Sequence, residues 1–174
     1  YAINRKAYQL NYRGEFNHIT RNTDLLLKGN FSNPALRNFT GLGNNSRIDE
    51  SRNFNYYLIR YRSLELEALL RKRYFEKLHL MIGPYFYHYN SKYSDNAGTV
   101  LGKPQQLHLD SADVFSKKNY AGGKLALLID NTNKEFFPTR GMHWYTEFVG
   151  MTGLTKGSDN YFRYTSDMTI YASF

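Results

Sequence analysis

Tyr8-Gln9-Leu10-Asn11-Tyr12-Arg13-Gly14-Glu15-Phe16 carries Tyr8, Leu10, Tyr12 and Phe16 at even positions and Gln9, Asn11, Arg13 and Glu15 at odd ones. Successive side chains of an extended strand point to opposite faces, so this stretch is a strand with one apolar and one polar side. The same period recurs along the chain. Leu25, Leu27, Gly29 and Phe31 share a face in residues 25–31. In residues 54–70, Tyr57, Ile59 and Tyr61 alternate at odd positions, then Leu64, Leu66, Ala68 and Leu70 at even ones. That change of parity predicts a β-bulge near Arg62-Ser63. Residues 78–90 place Leu78, Leu80, Ile82 and Phe86 on one face and His79, Met81, Gly83, Tyr85, Tyr87 and Tyr89 on the other. The end bearing Tyr85, Tyr87 and Tyr89 resembles half of an aromatic girdle. Further strands are expected over 119–130, 141–151 and 160–174.

The connections alternate in length. Residues 20–23, 71–77 and 131–139 are short; residues 32–53, 91–118 and 152–159 are longer and rich in Gly, Pro, Asn and Ser. Short turns at one end and long loops at the other, joining strands that run past about 11 residues, suit a transmembrane β-barrel. The predicted fold class is therefore all-β: an antiparallel up-and-down barrel segment of about seven strands. Lipocalins and soluble β-sandwiches also use long amphipathic strands, and a soluble binding module of that kind stays open.

Composition points the same way. Mean hydropathy is −0.62, yet aromatic residues make up 17% and Tyr alone fills 16 positions. Tyr pairs an apolar body with a polar tip and suits a surface that is greasy at one end and wet at the other. Strands that alternate polar and apolar average as hydrophilic even when they cross a bilayer. No run approaches the roughly 18 apolar residues of a membrane helix. The formal charge of +8 invites an anionic partner, either lipid headgroups or nucleic acid. The chain begins at Tyr1 without Met and is taken as an excised or processed segment; Phe174 is taken as a point of truncation.

Little in the sequence speaks for catalysis. The absence of Cys excludes disulfides, Cys-bearing zinc sites and a cysteine nucleophile. His18, His79, His88, His108 and His143 include no H-x-x-x-H or H-E-x-x-H spacing, and neither Gly-x-Ser-x-Gly nor a P-loop occurs. His108 and Asp110, two apart on a long loop, are assigned to solvent. Glu65, Glu67 and Glu147 are assigned to a polar row facing a barrel lumen. Arg71, Lys72, Arg73 and Lys77, with Tyr74 and Phe75 among them, have the composition of a single-strand binder, but they occupy one short turn, and nucleic acid is not an expected partner.

Residues 130–141 narrow the choice: Asp130-Asn131-Thr132-Asn133-Lys134-Glu135-Phe136-Phe137-Pro138-Thr139-Arg140-Gly141, between two alternating strands. Asp130 is suited to accept backbone N–H bonds at a strand end, Pro138 to stiffen the return, and Gly141 to adopt a backbone angle closed to other residues. The segment resembles the periplasmic turn of the BamA/TamA superfamily of outer-membrane barrels, with Asp130, Phe137, Pro138, Thr139 and Gly141 in register and Arg140 beside them. It departs from the family at Thr132 and Asn133, where Arg and Asp are frequent, so a turn salt bridge is expected to be missing. Gly41-Leu42-Gly43-Asn44, upstream, resembles a loop of Bacteroidetes-type members.

The resemblance implies a bacterial outer-membrane location and a non-enzymatic role, without metal or cofactor, in inserting or secreting proteins. Its implied partners are outer-membrane lipid, unfolded outer-membrane or secreted proteins, and periplasmic or lipoprotein assembly factors. Residues 1–174 then correspond to about the fourth to the tenth strand of a sixteen-stranded barrel. They lack the periplasmic POTRA domains, the closing strands and the Val-Arg-Gly loop. An outer-membrane pore or receptor barrel is the alternative.

Overall fold

The computed structural model describes residues 7–41, 48–75, 77–134 and 136–172. Seven strands form one sheet in chain order: β1 (Tyr8–Thr20), β2 (Thr23–Asn38), β3 (Leu58–Tyr74), β4 (Leu78–Asn90), β5 (Lys117–Asp130), β6 (Gly141–Gly153) and β7 (Tyr161–Tyr171). Every pairing is antiparallel and joins sequence neighbours, so the sheet is up-and-down, with its outer edges at β1 and β7 open. The sandwich alternative needs a second sheet, and the described residues form one.

Most strands overrun their expected ends. β1 continues to Thr20, with an irregular register between Phe16 and Thr20. β2 extends to Asn38, through residues expected in a loop. Its register runs Ser32↔Ser63, then Ala35↔Tyr61, so Asn33 and Pro34 together oppose Arg62. That is a β-bulge, one of the few places where a strand accommodates Pro, which has no N–H for the ladder. The bulge predicted at Arg62-Ser63 thus lies across the ladder, on β2. β3 pairs with β4 in one unbroken register, from Arg62↔Asn90 to Tyr74↔Leu78.

Residues paired across a ladder share a face, so register assigns the two sides. One side carries Arg13 and Glu15 of β1, Lys28 of β2, Glu65 and Glu67 of β3, Tyr85 of β4, Lys124 of β5, Glu147 of β6 and Arg163 of β7. The other carries Leu10, Leu27, Leu66, Phe86, Leu125, Phe148 and Met168. Among the described residues no second layer covers either side. Even so, Glu67 and Lys124 are only 6% and 7% exposed, whereas Leu66 and Leu125 are 45% and 46% exposed. Side chains bury one another without a covering layer when the sheet coils toward them, so the charged side is concave. Gly83 and Gly122 lie on that side, where a Cβ would stand 2.0 Å from the Ala68 carbonyl oxygen and 1.8 Å from that of Gly150. Glycine at these positions lets the backbones close up and the sheet curve.

The connection from β4 to β5 holds two single-turn helices, α1 (Tyr93–Asn96) and α2 (Ser111–Val114). β3 outruns β4 at this end, and the fully buried Asn96 supplies the missing ladder partner. Its amide accepts from Arg60 N (2.8 Å) and donates to Arg60 O (2.7 Å), satisfying backbone groups that otherwise lack a mate.

Candidate functional site

The convex side is an uncharged band. Between Arg62 and Lys72, β3 shows only Leu64, Leu66, Ala68 and Leu70 outward. The same side of β4 runs Leu78, Leu80, Ile82, Pro84 and Phe86, and that of β5 runs Ala121, Gly123, Leu125, Leu127 and Ile129. From Arg62 to Lys72 is about 33 Å of strand at roughly 3.3 Å per residue. At the usual barrel tilt this is a height of about 24 Å, against an apolar belt of about 25 Å in transmembrane barrels. The polar groups in the band find lateral partners: the Trp144 indole N–H donates to the Ser166 hydroxyl (2.9 Å), and the Thr146 hydroxyl to the Thr165 carbonyl (3.2 Å).

Outward aromatic residues cluster toward the long-loop end. Tyr8 packs on Phe31 and Phe148 stacks on Phe162, each pair with centroids 5.6 Å apart. Tyr85, Tyr87 and Tyr89, expected in this girdle, point the other way. Their register partners are Glu67, Glu65 and Ser63 on the concave side. There Tyr87 lies against Tyr120, Tyr120 against Tyr161, and Tyr61 against Tyr89. The parity change read at Tyr61 therefore marks where the concave face turns from aromatic to charged, with no change of phase in β3.

At mid-height the concave side holds an ion network across six strands. Lys124 bonds Glu67 and lies 3.1 Å from Glu147, which also takes Arg163 at 3.2 Å. Lys28 stands 3.1 Å from the second oxygen of Glu67, at an angle that makes no hydrogen bond. The Tyr85 hydroxyl donates to Glu65, and that of Tyr145 to Glu147 at 2.8 Å. Glu65, Glu67 and Glu147 thus do share one face; the sequence reading missed the cations between them. Lys124 stands between Gly122-Gly123 and the apolar run Leu125–Ile129, and that lone charge beside an apolar run was the signal available.

The short-turn end is tied by side chains. Asp24 is fully buried and receives Arg71 (2.9 Å), Arg73 (3.3 Å) and the His18 backbone N–H (2.9 Å). The basic cluster therefore divides: Arg71 and Arg73 point inward to Asp24, Lys72 lies over the Tyr74 ring, and Lys77 bonds Asn131 (2.6 Å). In the β5–β6 turn Asp130 accepts Thr132 N (3.1 Å) and the Thr132 hydroxyl (2.7 Å), and lies 3.2 Å from His143 Nδ1. Asn133 Oδ1 accepts from both Thr139 N and Arg140 N at 3.1 Å. Its amide oxygen thus ties the start of the turn to its return, six and seven residues on. Gly141 has φ +120°, and a Cβ there would meet the Asn131 carbonyl oxygen at 2.2 Å. Phe137 is 91% exposed, with φ +55°; Pro138 follows it.

On the long loops, the Asp49 carboxyl is held below its usual range, chiefly by the Ser51 hydroxyl. Asp110 accepts Ala112 N at 2.9 Å and begins α2, while His108 ends the preceding 3₁₀ turn in the left-handed region. Among the described residues no three His, Asp or Glu side chains are grouped to hold a metal, and no helix is long and apolar enough to cross a membrane. Gly41 has φ +127°; Leu42, Gly43 and Asn44 of the upstream motif lie outside the described residues. Comparison with protein-family models, curated proteins and solved structures finds no match for this chain, so the BamA/TamA resemblance rests on the turn and loop residues themselves.

Proposed function

We propose that this chain is a stretch of wall from a bacterial outer-membrane β-barrel of the BamA/TamA type, which helps insert or secrete proteins without catalysing a reaction. The observation that carries the membrane part is the uncharged convex band, about 24 Å high, on seven strands of at least 11 residues whose other side is charged. In water such a band is a contiguous apolar patch far larger than a monomer exposes. In a bilayer it meets acyl chains, while the charged side faces a wet lumen. The family part rests on Asp130 and the Phe137-Pro138-Thr139-Arg140-Gly141 run.

The test is heat-modifiable gel mobility of the parent protein in an outer-membrane extract. A compact form that shifts only on boiling is expected. A water-soluble parent with no shift overturns the membrane reading. The paired charges of the concave side equally suit a water-filled pore or receptor. Reconstituted protein that conducts ions but does not speed insertion of an unfolded outer-membrane protein favours that second reading.

A further inference from the structure

Two residues at the short-turn end are disfavoured twice by the fold that holds them. Phe75 and Phe137 are 90% and 91% exposed, and both have positive φ, +52° and +55°. The left-handed region suits Gly, Asn or Asp, and a bulky side chain there is strained. Asn22, in the neighbouring β1–β2 turn, shows the usual solution, with φ +61°. Neither backbone preference nor packing calls for phenylalanine at 75 or 137, so the reason for it lies outside the chain.

The surroundings identify what that is. The three turns form one rim: Arg73 N donates to Asn22 O (3.0 Å), and Asp130 N to Lys77 O (2.9 Å). With Arg71 and Arg73 held by Asp24, the two phenylalanine turns retain Lys72, Lys77, Lys134 and Arg140 against Glu76 and Glu135. Phe75 directly follows Tyr74 and lies three residues beyond Lys72, where the convex band ends. Exposed rings and an excess of cations at the edge of an apolar belt match the headgroup layer of a membrane. There rings enter the acyl boundary and cations meet phosphates.

We propose that this rim binds anionic phospholipid, with Phe75 and Phe137 as anchors and Lys72, Lys77, Lys134 and Arg140 as phosphate contacts. The proposal rests on the membrane reading for the position of the rim, and the two can fail separately. The parent protein that carries this chain is reconstituted into vesicles of phosphatidylcholine alone and of an equimolar phosphatidylcholine–phosphatidylglycerol mixture. Protease protection of the strands reports the crossing. Phospholipid retained per chain after detergent extraction from the mixed vesicles reports the rim.

Protected strands and several-fold enrichment of phosphatidylglycerol are expected, with Lys77→Gln and Arg140→Gln each lowering the enrichment about fivefold. Phe75→Asn with Phe137→Asn lowers retained lipid while leaving protection intact, because Asn accepts positive φ. Protected strands with equal retention of both lipids, unchanged in every variant, overturn the rim proposal and leave the crossing standing. The same result with a co-extracted protein that is lost from the double Asn variant assigns the rim to a protein partner and also overturns it. Strands digested in both vesicle types overturn the crossing and the rim together.

Discussion

Lys124 and Leu125 are neighbours on β5 and belong to opposite worlds. Lys124 lies on the concave side, 7% exposed, bonded to Glu67 and 3.1 Å from Glu147. Leu125 lies on the convex side, 46% exposed, paired with Ile82 and Phe148. In an ordinary soluble sheet the charged residue faces water and the leucine faces the core. Here curvature alone buries the charge, and nothing among the described residues buries the leucine. The hydrophobic effect must therefore act between the convex side and something external, while the concave side is held by pairing.

Removing the charge gives the larger effect. Lys124→Met leaves Glu67 and Glu147 without the cation they share, and breaking a buried ion pair costs about 3–5 kcal/mol. Urea unfolding of the reconstituted parent protein should show that loss, and Glu67→Gln made with Lys124→Met should restore part of it. A loss below about 1 kcal/mol would mean that the network is wet and weak, and that curvature does not depend on it.

Adding a charge to the other side is the sharper probe, because its sign depends on the surroundings. Leu125→Arg should cost about 2–4 kcal/mol if the residue meets acyl chains near mid-bilayer. On a water-exposed surface the same change stays within about 0.5 kcal/mol and should improve solubility. Unfolding measured in lipid vesicles distinguishes the two, and neutrality there would remove the physical basis for a membrane wall.

The alternation that separates these sides was legible from Tyr8 to Phe16 onward, because a period of two needs no tertiary information. Which side is concave was less so, since curvature depends on inward glycines such as Gly83 and Gly122 and on pairing between strands far apart in sequence. Tyr85, Tyr87 and Tyr89 show the consequence. Their aromatic character suggested a lipid-facing girdle, while register with Glu67, Glu65 and Ser63 turns them inward. The change of apolar parity along β3 was similarly visible, but it marks the inner face turning from aromatic to charged and not a bulge in β3. The bulge belongs to Asn33-Pro34, in a stretch whose Pro, Asn and Ser content resembles loop. In the turn, Asp130 and Gly141 could be singled out by residue type. The two acceptor bonds of Asn133 could not, because they depend on the return of the chain through Thr139 and Arg140.

The smallest effect is expected at Asn133, which belongs to neither side. It lies beyond the band in an exposed turn, so substitution there should cost less than at Lys124 or Leu125. Asn133→Ala removes the acceptor for Thr139 N and Arg140 N and should cost about 0.5–1.5 kcal/mol, with faster hydrogen exchange at those two amides. Asn133→Asp keeps both acceptor bonds and strengthens them with charge, so exchange there should slow. Because the carboxylate must be ionised to do this, the advantage over Asn should fade as pH drops through the ordinary aspartate range near about 4. Equal exchange in all three proteins would show that the turn is held by Asp130 and Gly141 alone. A cost for Asn133→Ala that differs between lipid and detergent is what a rim held against headgroups calls for, and an equal cost in both would count against that rim.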